Sequence, residues 1–326
     1  MATQRQMRLE VEALADRILP STSAIFSNGM LFVQGDNAGN SIQVSAQASG
    51  TIQVTDHGHA IAIAGTPATL TNLKVVVEQS GSGTGNILST DASLGGVTTV
   101  LDATQGTNNV LMPNNKGPST QMGGHGLNYL LDNPGGGDVQ IGGGYSDSQN
   151  LYDWEPGTGT DVVIGRGSHN SLLVVGNNNG QGETDQMIAD GHGGFVYQRT
   201  NLVPFNIYAS DVQDVVIRPS SGNDTVTIGD MTGVQGLKKV EVDGGGGNDT
   251  IDFSHQRNTQ VAAIFNGGAG ANTDILGAGT NYVVDTSQQD TIVIPPHSGR
   301  FVEVNPANAS SYLADFDDFL ALLAKK

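Results

Sequence analysis

Between residues 22 and 306 the apolar residues come in short bursts, alternating with polar residues or running together, and almost never at helical spacing. Ser41–Ser45, Ile52–Thr55, Ile61–Ala64 and Thr225–Ile228 alternate, which is the two-residue period of a half-buried strand. Val75–Val77, Val162–Ile164, Leu172–Val175, Val215–Ile217, Val240–Val242 and Ile292–Ile294 are runs rich in branched residues, suited to strands buried on both faces. Gly, Asn and Asp interrupt them about every ten residues and predict tight turns. The two ends differ. Met7, Val11, Leu14 and Ile18 fall on one stripe of a helix over 1–21, with Thr3 as its cap and Pro20 as its stop. Tyr312, Leu313, Phe316, Phe319, Leu320 and Leu323 give 307–326 a second apolar helical face. Ser310 or Ser311 stands at its start, and Lys325 and Lys326 suit the negative end of its dipole.

A phrase recurs in the middle region: small residues, Gly-x-Asn/Asp, a polar residue, then an aliphatic one. It reads AGNSIQV at 38–44, TGNILST at 84–90, GGHGLNYLL at 123–131 and PGTGTDVVI at 156–164. It returns as PSSGNDTVT at 219–227, GGGGNDTID at 244–252 and GGAGANTDIL at 267–276. Its acid or amide positions are Asn40, Asn86, Asn128, Asp161, Asp224 and Asp249; Asp224 and Asp249 lie 25 residues apart, and Asp274 a further 25. A period of this size predicts one coil of a stacked fold, in which each coil buries its apolar side only against its neighbours. The expected architecture is all-β: a right-handed parallel β-helix, or solenoid, over 22–306. It would have about ten to thirteen coils of three short strands, with the helices at 1–21 and 307–326 covering the ends. The alternative is a β-sandwich of two similar subdomains.

Composition narrows the function. Thirty-two acidic residues against 14 basic ones leave a net charge of −18. Such a surface repels polyanions, which argues against nucleic acid and anionic membranes as partners, and makes divalent cations its natural counter-ions. Cysteine is absent, which removes disulfides, thiol catalysis and cysteine-bound zinc. No apolar run is long enough for a transmembrane helix, and the first residues lack the apolar core of a standard export signal. G-x-S-x-G and P-loop patterns are missing, and the glycine-rich stretches 135–144 and 244–247 do not open helices.

GGGGNDTID fits the nine-residue pattern G-G-x-G-x-D-x-U-x at every position and resembles the haemolysin-type (RTX-like) calcium-binding repeat; the other copies are degenerate. The longer phrase at 215–251, with RLEVEALADRILPS at 8–21, resembles planctomycete secreted or surface proteins. The likeness implies a calcium-binding solenoid that works outside the cytoplasm or at the cell surface. In such a motif glycines let backbone carbonyls turn towards an ion and the aspartate supplies charge. The expected calcium ligands are Asp224 and Asp249 on stacked turns, with carbonyls of Gly222, Gly245 and Gly247, and Asp161 in a third turn. Gly-Asn-Asp also makes a tight turn without metal, and stacked asparagine rows stabilise solenoids unaided.

The resulting expectation is a non-catalytic structural or adhesion module that binds calcium and, as a partner, cell-surface or matrix polysaccharide. The enzymatic alternative is a polysaccharide lyase or glycoside hydrolase. It would use the group Asp138, Asp147, Asp153, Glu155, Asp161 and Arg166, with Tyr152 and Trp154 as sugar platforms. In the simpler view Asp153–Pro156 is a projecting loop. His57 and His59 form a weak transition-metal pair, interrupted by a turn, and the remaining histidines read as surface residues.

Overall fold

The computed structural model describes residues 22–155, 159–284 and 289–305; the helices expected at 1–21 and 307–326 lie outside them. Within the described residues the chain is strand and turn, with a short 3-10 turn at Ala92–Leu94. The strands form two long sheets, sheet I of 15 strands and sheet II of 13. From Val75–Gln79 onward, successive strands alternate between them over most of the chain. Ile87–Thr90 lies in sheet II, Thr98–Asp102 in sheet I and Thr107–Pro113 in sheet II. Each then pairs in parallel with the strand two places away. Thr225 lies beside Thr250, and Thr250 beside Thr273. Residues about two dozen apart are therefore neighbours, as the repeat spacing predicts. The circuit has two strands, however, where three were expected, because each turn passes directly from one sheet to the other.

The predicted strands are present, Thr225–Ile228 with the same bounds and others modestly extended, as in Ser41–Ala46, Ile52–Asp56 and Lys239–Asp243, while Ile292–Ile294 is shifted by one residue to Thr291–Val293. Ile61–Ala64 is divided between His59–Ile61 in sheet II and Ile63–Gly65 in sheet I. At this end Ser41–Ala46, Ile52–Asp56 and His59–Ile61 form an antiparallel meander, and the hairpin Ser23–Ser27/Met30–Gln34 pairs with Ile63–Gly65. Ala68 and Leu73 from the following loop are buried with them, so strands and a loop close this part of the stack.

The main apolar cluster lies between the sheets and includes residues from Ala24 to Val283. Alternation along a strand puts neighbours on opposite faces. Leu130 and Tyr152 join the main cluster, while Tyr129 and Leu151, with Leu173 and Val216, form a second one on the other face of sheet II. That explains the unbroken apolar runs in this sheet.

One interruption was not foreseen. Thr184–Ala189, Phe195–Arg199 and Phe205–Ser210 are antiparallel neighbours in sheet I, while sheet II passes directly from His169–Val175 to Asp214–Arg218. Two surplus strands lengthen sheet I by about 10 Å relative to sheet II. Bulky residues gather there: Trp154 stacks on Phe205 at 3.9 Å between ring centres, with Phe195 and Tyr197 also buried. The Arg199 guanidinium lies 4.7 Å from the Phe205 ring centre and binds Glu183 at 2.7 Å, with both side chains buried. Among the described residues no helix is long and apolar enough to cross a membrane.

Candidate metal centre

The two corners of the circuit carry different chemistry. At the corner leading into sheet II, inward asparagines form a hydrogen-bonded column. Asn40 Nδ2 donates to Asn86 Oδ1 at 3.1 Å, Asn86 to Asn109 at 3.0 Å, and Asn109 to Asn128 at 2.8 Å. Asn128 donates to Asn150 at 2.9 Å, and Asn150 to Asn170 at 2.8 Å. All six are buried. A planar amide offers a donor on one side and an acceptor on the other, so it can repeat once per coil without a charge.

At the corner leading into sheet I the column is mostly acidic, and backbone N–H groups link it. Glu183 N–H donates to Asp224 Oδ1 at 2.6 Å, Asp224 N–H to Asp249 Oδ1 at 2.8 Å, Asp249 N–H to Asn272 Oδ1 at 2.9 Å, and Asn272 N–H to Asp290 Oδ1 at 2.9 Å. Below the inserted strands the pattern recurs, with Ser119 N–H on Asp138 Oδ1 at 2.6 Å and Asp138 N–H on Asp161 Oδ1 at 3.0 Å. Asp224 and Asp249 are thus stacked on consecutive coils, each 2% exposed, and the Oδ2 of each is buried without a hydrogen-bond partner. Burial raises the pKa of both carboxyls; for Asp249 it reaches about 6, with the Asp224 charge adding to the rise.

The three predicted glycine ligands lie in this stack with positive φ: Gly222 at 137°, Gly245 at 81° and Gly247 at 146°. The Gly245 carbonyl accepts Ala269 N–H at 2.7 Å. The Gly222 oxygen stands 1.5 Å from where a Cβ of Gly247 would be, and the Gly247 oxygen 1.7 Å from that of Gly270. These carbonyls abut the next coil, so the glycines are required by close backbone stacking whether or not an ion is bound.

Asp161 lies elsewhere, at the corner below the inserted strands. Its carboxylate, Asp138 and Asp132 place one oxygen each within 4.8 Å of one another. Asp132 follows the strand His125–Leu131, Asp138 precedes Val139–Ile141, and Asp161 lies in Gly159–Ile164 on the next coil. Asp138 is 1% exposed; Ser119 N–H and Asn133 Nδ2 occupy its Oδ1, and its Oδ2 is buried with no partner. Asp161 Oδ1 accepts Gly137 and Asp138 N–H, and its Oδ2 accepts Trp154 Nε1 at 3.0 Å. Two unit charges 4.8 Å apart repel by about 3.5 kcal/mol at an effective dielectric of about 20. Burial, then the charges of Asp161 and Asp138, push Asp132 up to about 9; burial pushes Asp138 up to about 6 and raises Asp161. Calcium takes oxygens at about 2.3–2.6 Å, so two of its ligands can stand up to about 5 Å apart. The cluster meets that spacing with hard oxygen donors only, a set suited to calcium, magnesium or manganese.

The enzymatic grouping is only partly assembled. Asp138 and Asp161 come together, and Asp153 is close enough to raise the Asp132 pKa. Asp147 binds His125 Nδ1 at 3.1 Å, and Arg166 lines a shallow groove with Met122, Ile141 and Tyr145, at the corner leading into sheet II. Tyr152 and Trp154 are not sugar platforms: they are 0% and 1% exposed in the core. Of the segment Asp153–Pro156, Asp153 and Trp154 do not project but complete the strand Gln149–Trp154; Glu155 is exposed, and Pro156 lies outside the described residues. His57 binds the Gly39 carbonyl at 2.8 Å from the hairpin turn that separates it from His59.

Sequence reasoning missed Asp132, whose phrase LLDNP carries no repeat signature. It also missed a spacing that marks the columns. Gly35, Gly123, Gly165, Gly244 and Gly267 each stand five residues before an inward Asn or Asp, and a Cβ on any of them would meet that side chain within about 3 Å. No protein-family model, curated protein or solved structure matches the chain; what the site does rests on its own residues.

Proposed function

We propose that the chain is a calcium-binding, right-handed parallel β-solenoid that acts outside the cytoplasm as a non-catalytic structural or adhesion module. The observation that carries this reading is the buried acidic column at the corner into sheet I. Carboxylates recur there coil after coil, several with an oxygen left unpartnered, in a chain whose net charge is −18. A buried unpaired charge is costly and is met by a cation, a metal or a proton. Arg199 meets it at Glu183; elsewhere along the column calcium would do so. The stacked turns at 219–252 and the fit of GGGGNDTID to the haemolysin-type pattern support calcium as the ion, and the long polar surface supports contact with matrix or cell-surface polysaccharide. Because the unfolded chain cannot assemble these oxygens, binding adds to stability. Thermal unfolding tests the proposal: EDTA lowers the Tm and calcium in excess restores it. An identical melting curve in EDTA and in calcium refutes it.

A further inference from the structure

We propose that Asp132, Asp138 and Asp161 hold one divalent, oxygen-seeking cation of the calcium class, clamping two successive coils just below the inserted strands. The inference rests on the calcium reading above and assigns it a location that does not use the Gly-Asn-Asp turns around Asp224 and Asp249.

Three observations converge. The three oxygens stand within 4.8 Å of one another, the spacing of ligands on one ion. Asp138 is 1% exposed and keeps a buried Oδ2 without a partner, although its other oxygen takes two hydrogen bonds. Asp161 is oriented from both sides, by two backbone N–H groups and by the Trp154 indole, so its carboxylate is held in place before any ion arrives. Asn133 fixes Asp138 in the same way at 3.0 Å. Asp132 is only partly buried and supplies the side open to ion entry.

The only tryptophan in the chain is Trp154, and its Nε1 lies 3.0 Å from Asp161 Oδ2. A terbium ion in the site would be sensitised by that indole. In sheet I the turn at Asp224 lies four strand spacings from Asp161, about 19 Å away, where sensitisation falls off steeply. The test is terbium emission excited through tryptophan, titrated on the full chain and displaced with calcium. The expected result is saturable emission that calcium reverses. In Asp132→Asn, terbium and calcium bind at least about tenfold more weakly; in Asp249→Asn emission is unchanged. The Asp132 N–H donates to the Asp153 carbonyl on the next coil at 2.8 Å, a backbone bond that Asp132→Asn leaves in place, and far-UV circular dichroism verifies that the variant is folded. Absent emission, or emission equal in wild type and folded Asp132→Asn, overturns this site. If the Tm still falls in EDTA in that case, the broader calcium proposal survives and the ion lies in another turn; if it does not, both fail.

Discussion

The asparagine column permits a quantitative test of how the coils are joined. Asn128 stands in its middle. Its Oδ1 accepts Asn109 Nδ2 at 2.8 Å and Gly124 N–H at 2.9 Å; its Nδ2 donates to Asn150 Oδ1 and to the Gly124 carbonyl, both at 2.9 Å. In Asn128→Ala the Asn109 amide keeps a 3.3 Å bond to the Gly106 carbonyl, and Asn150 Oδ1 keeps the Gly143 N–H at 2.8 Å. Gly124 N–H loses its side-chain acceptor. Two inter-coil bonds at about 1 kcal/mol each and one orphaned buried donor at about 1–3 kcal/mol predict a loss of about 3–5 kcal/mol. Asn128→Asp keeps the shape and Oδ1 but turns an oxygen towards the Gly124 carbonyl and Asn150 Oδ1, so it should be at least as harmful at neutral pH. The control is Asn248→Ala: Asn248 accepts Ala271 N–H at 2.8 Å but is exposed, so water replaces it and the change stays within about 1 kcal/mol. Urea unfolding followed by far-UV circular dichroism reads the difference. A loss below about 1 kcal/mol in Asn128→Ala, or one no larger than in Asn248→Ala, would mean that the column is incidental to coil stacking.

Three further outcomes follow from the same geometry. Gly247→Ala places a Cβ 1.5 Å from the Gly222 carbonyl at a φ of +146° and should cost several kcal/mol, whereas its neighbour Gly246 has nothing within 4 Å and should accept alanine almost neutrally in the same unfolding assay. Glu78 is 0% exposed, and burial raises its pKa well above the usual carboxylate range despite the Ser89 N–H at 3.1 Å. The native state therefore holds this proton more tightly than the unfolded chain. Its contribution is fullest below the unfolded pKa of about 4.3 and declines as pH rises towards the folded value. Glu78→Gln should remove that decline and raise stability at pH 7; a wild-type–variant difference that does not change between acid and neutral pH would contradict it. Arg199→Met strands Glu183 and should cost about 3–5 kcal/mol, most of it recovered when Glu183→Gln is added; no recovery in the double variant would show that the pair acts through packing alone.

How much of this was legible in the sequence depends on the range of the interaction that decides each feature. Strand positions follow from local alternation, and Thr225–Ile228 was delimited to the residue. Coil-on-coil stacking follows from the 25-residue spacing of Asp224 and Asp249, which the structure places in hydrogen-bonding contact. The number of strands per coil does not follow, because it depends on whether a turn continues into the same sheet or crosses to the other. The antiparallel pair at Phe195–Arg199 escaped notice because its strands carry the same alternation as the parallel ones; the interior it widens is evident only once Trp154, Tyr197 and Phe205 are seen to meet.

The site shows the same limit. Asp161 was singled out from a motif, yet what surrounds it is set by Asp132, 29 positions earlier, across a turn with no repeat signature. Tyr152 and Trp154 invite the sugar-platform alternative because an aromatic pair beside acids resembles a sugar cleft, whereas an interior between two sheets that two extra strands widen needs large side chains to fill it. Gly-Asn-Asp served two demands that a sequence cannot separate. The glycines are fixed by carbonyls of the coil beneath, and the aspartates by N–H groups of the adjacent coil, before any ion is considered. What backbone packing leaves over is the second oxygen of each carboxylate. The buried unpartnered oxygens of Asp138, Asp224 and Asp249 are therefore the atoms on which the proposed calcium function would turn.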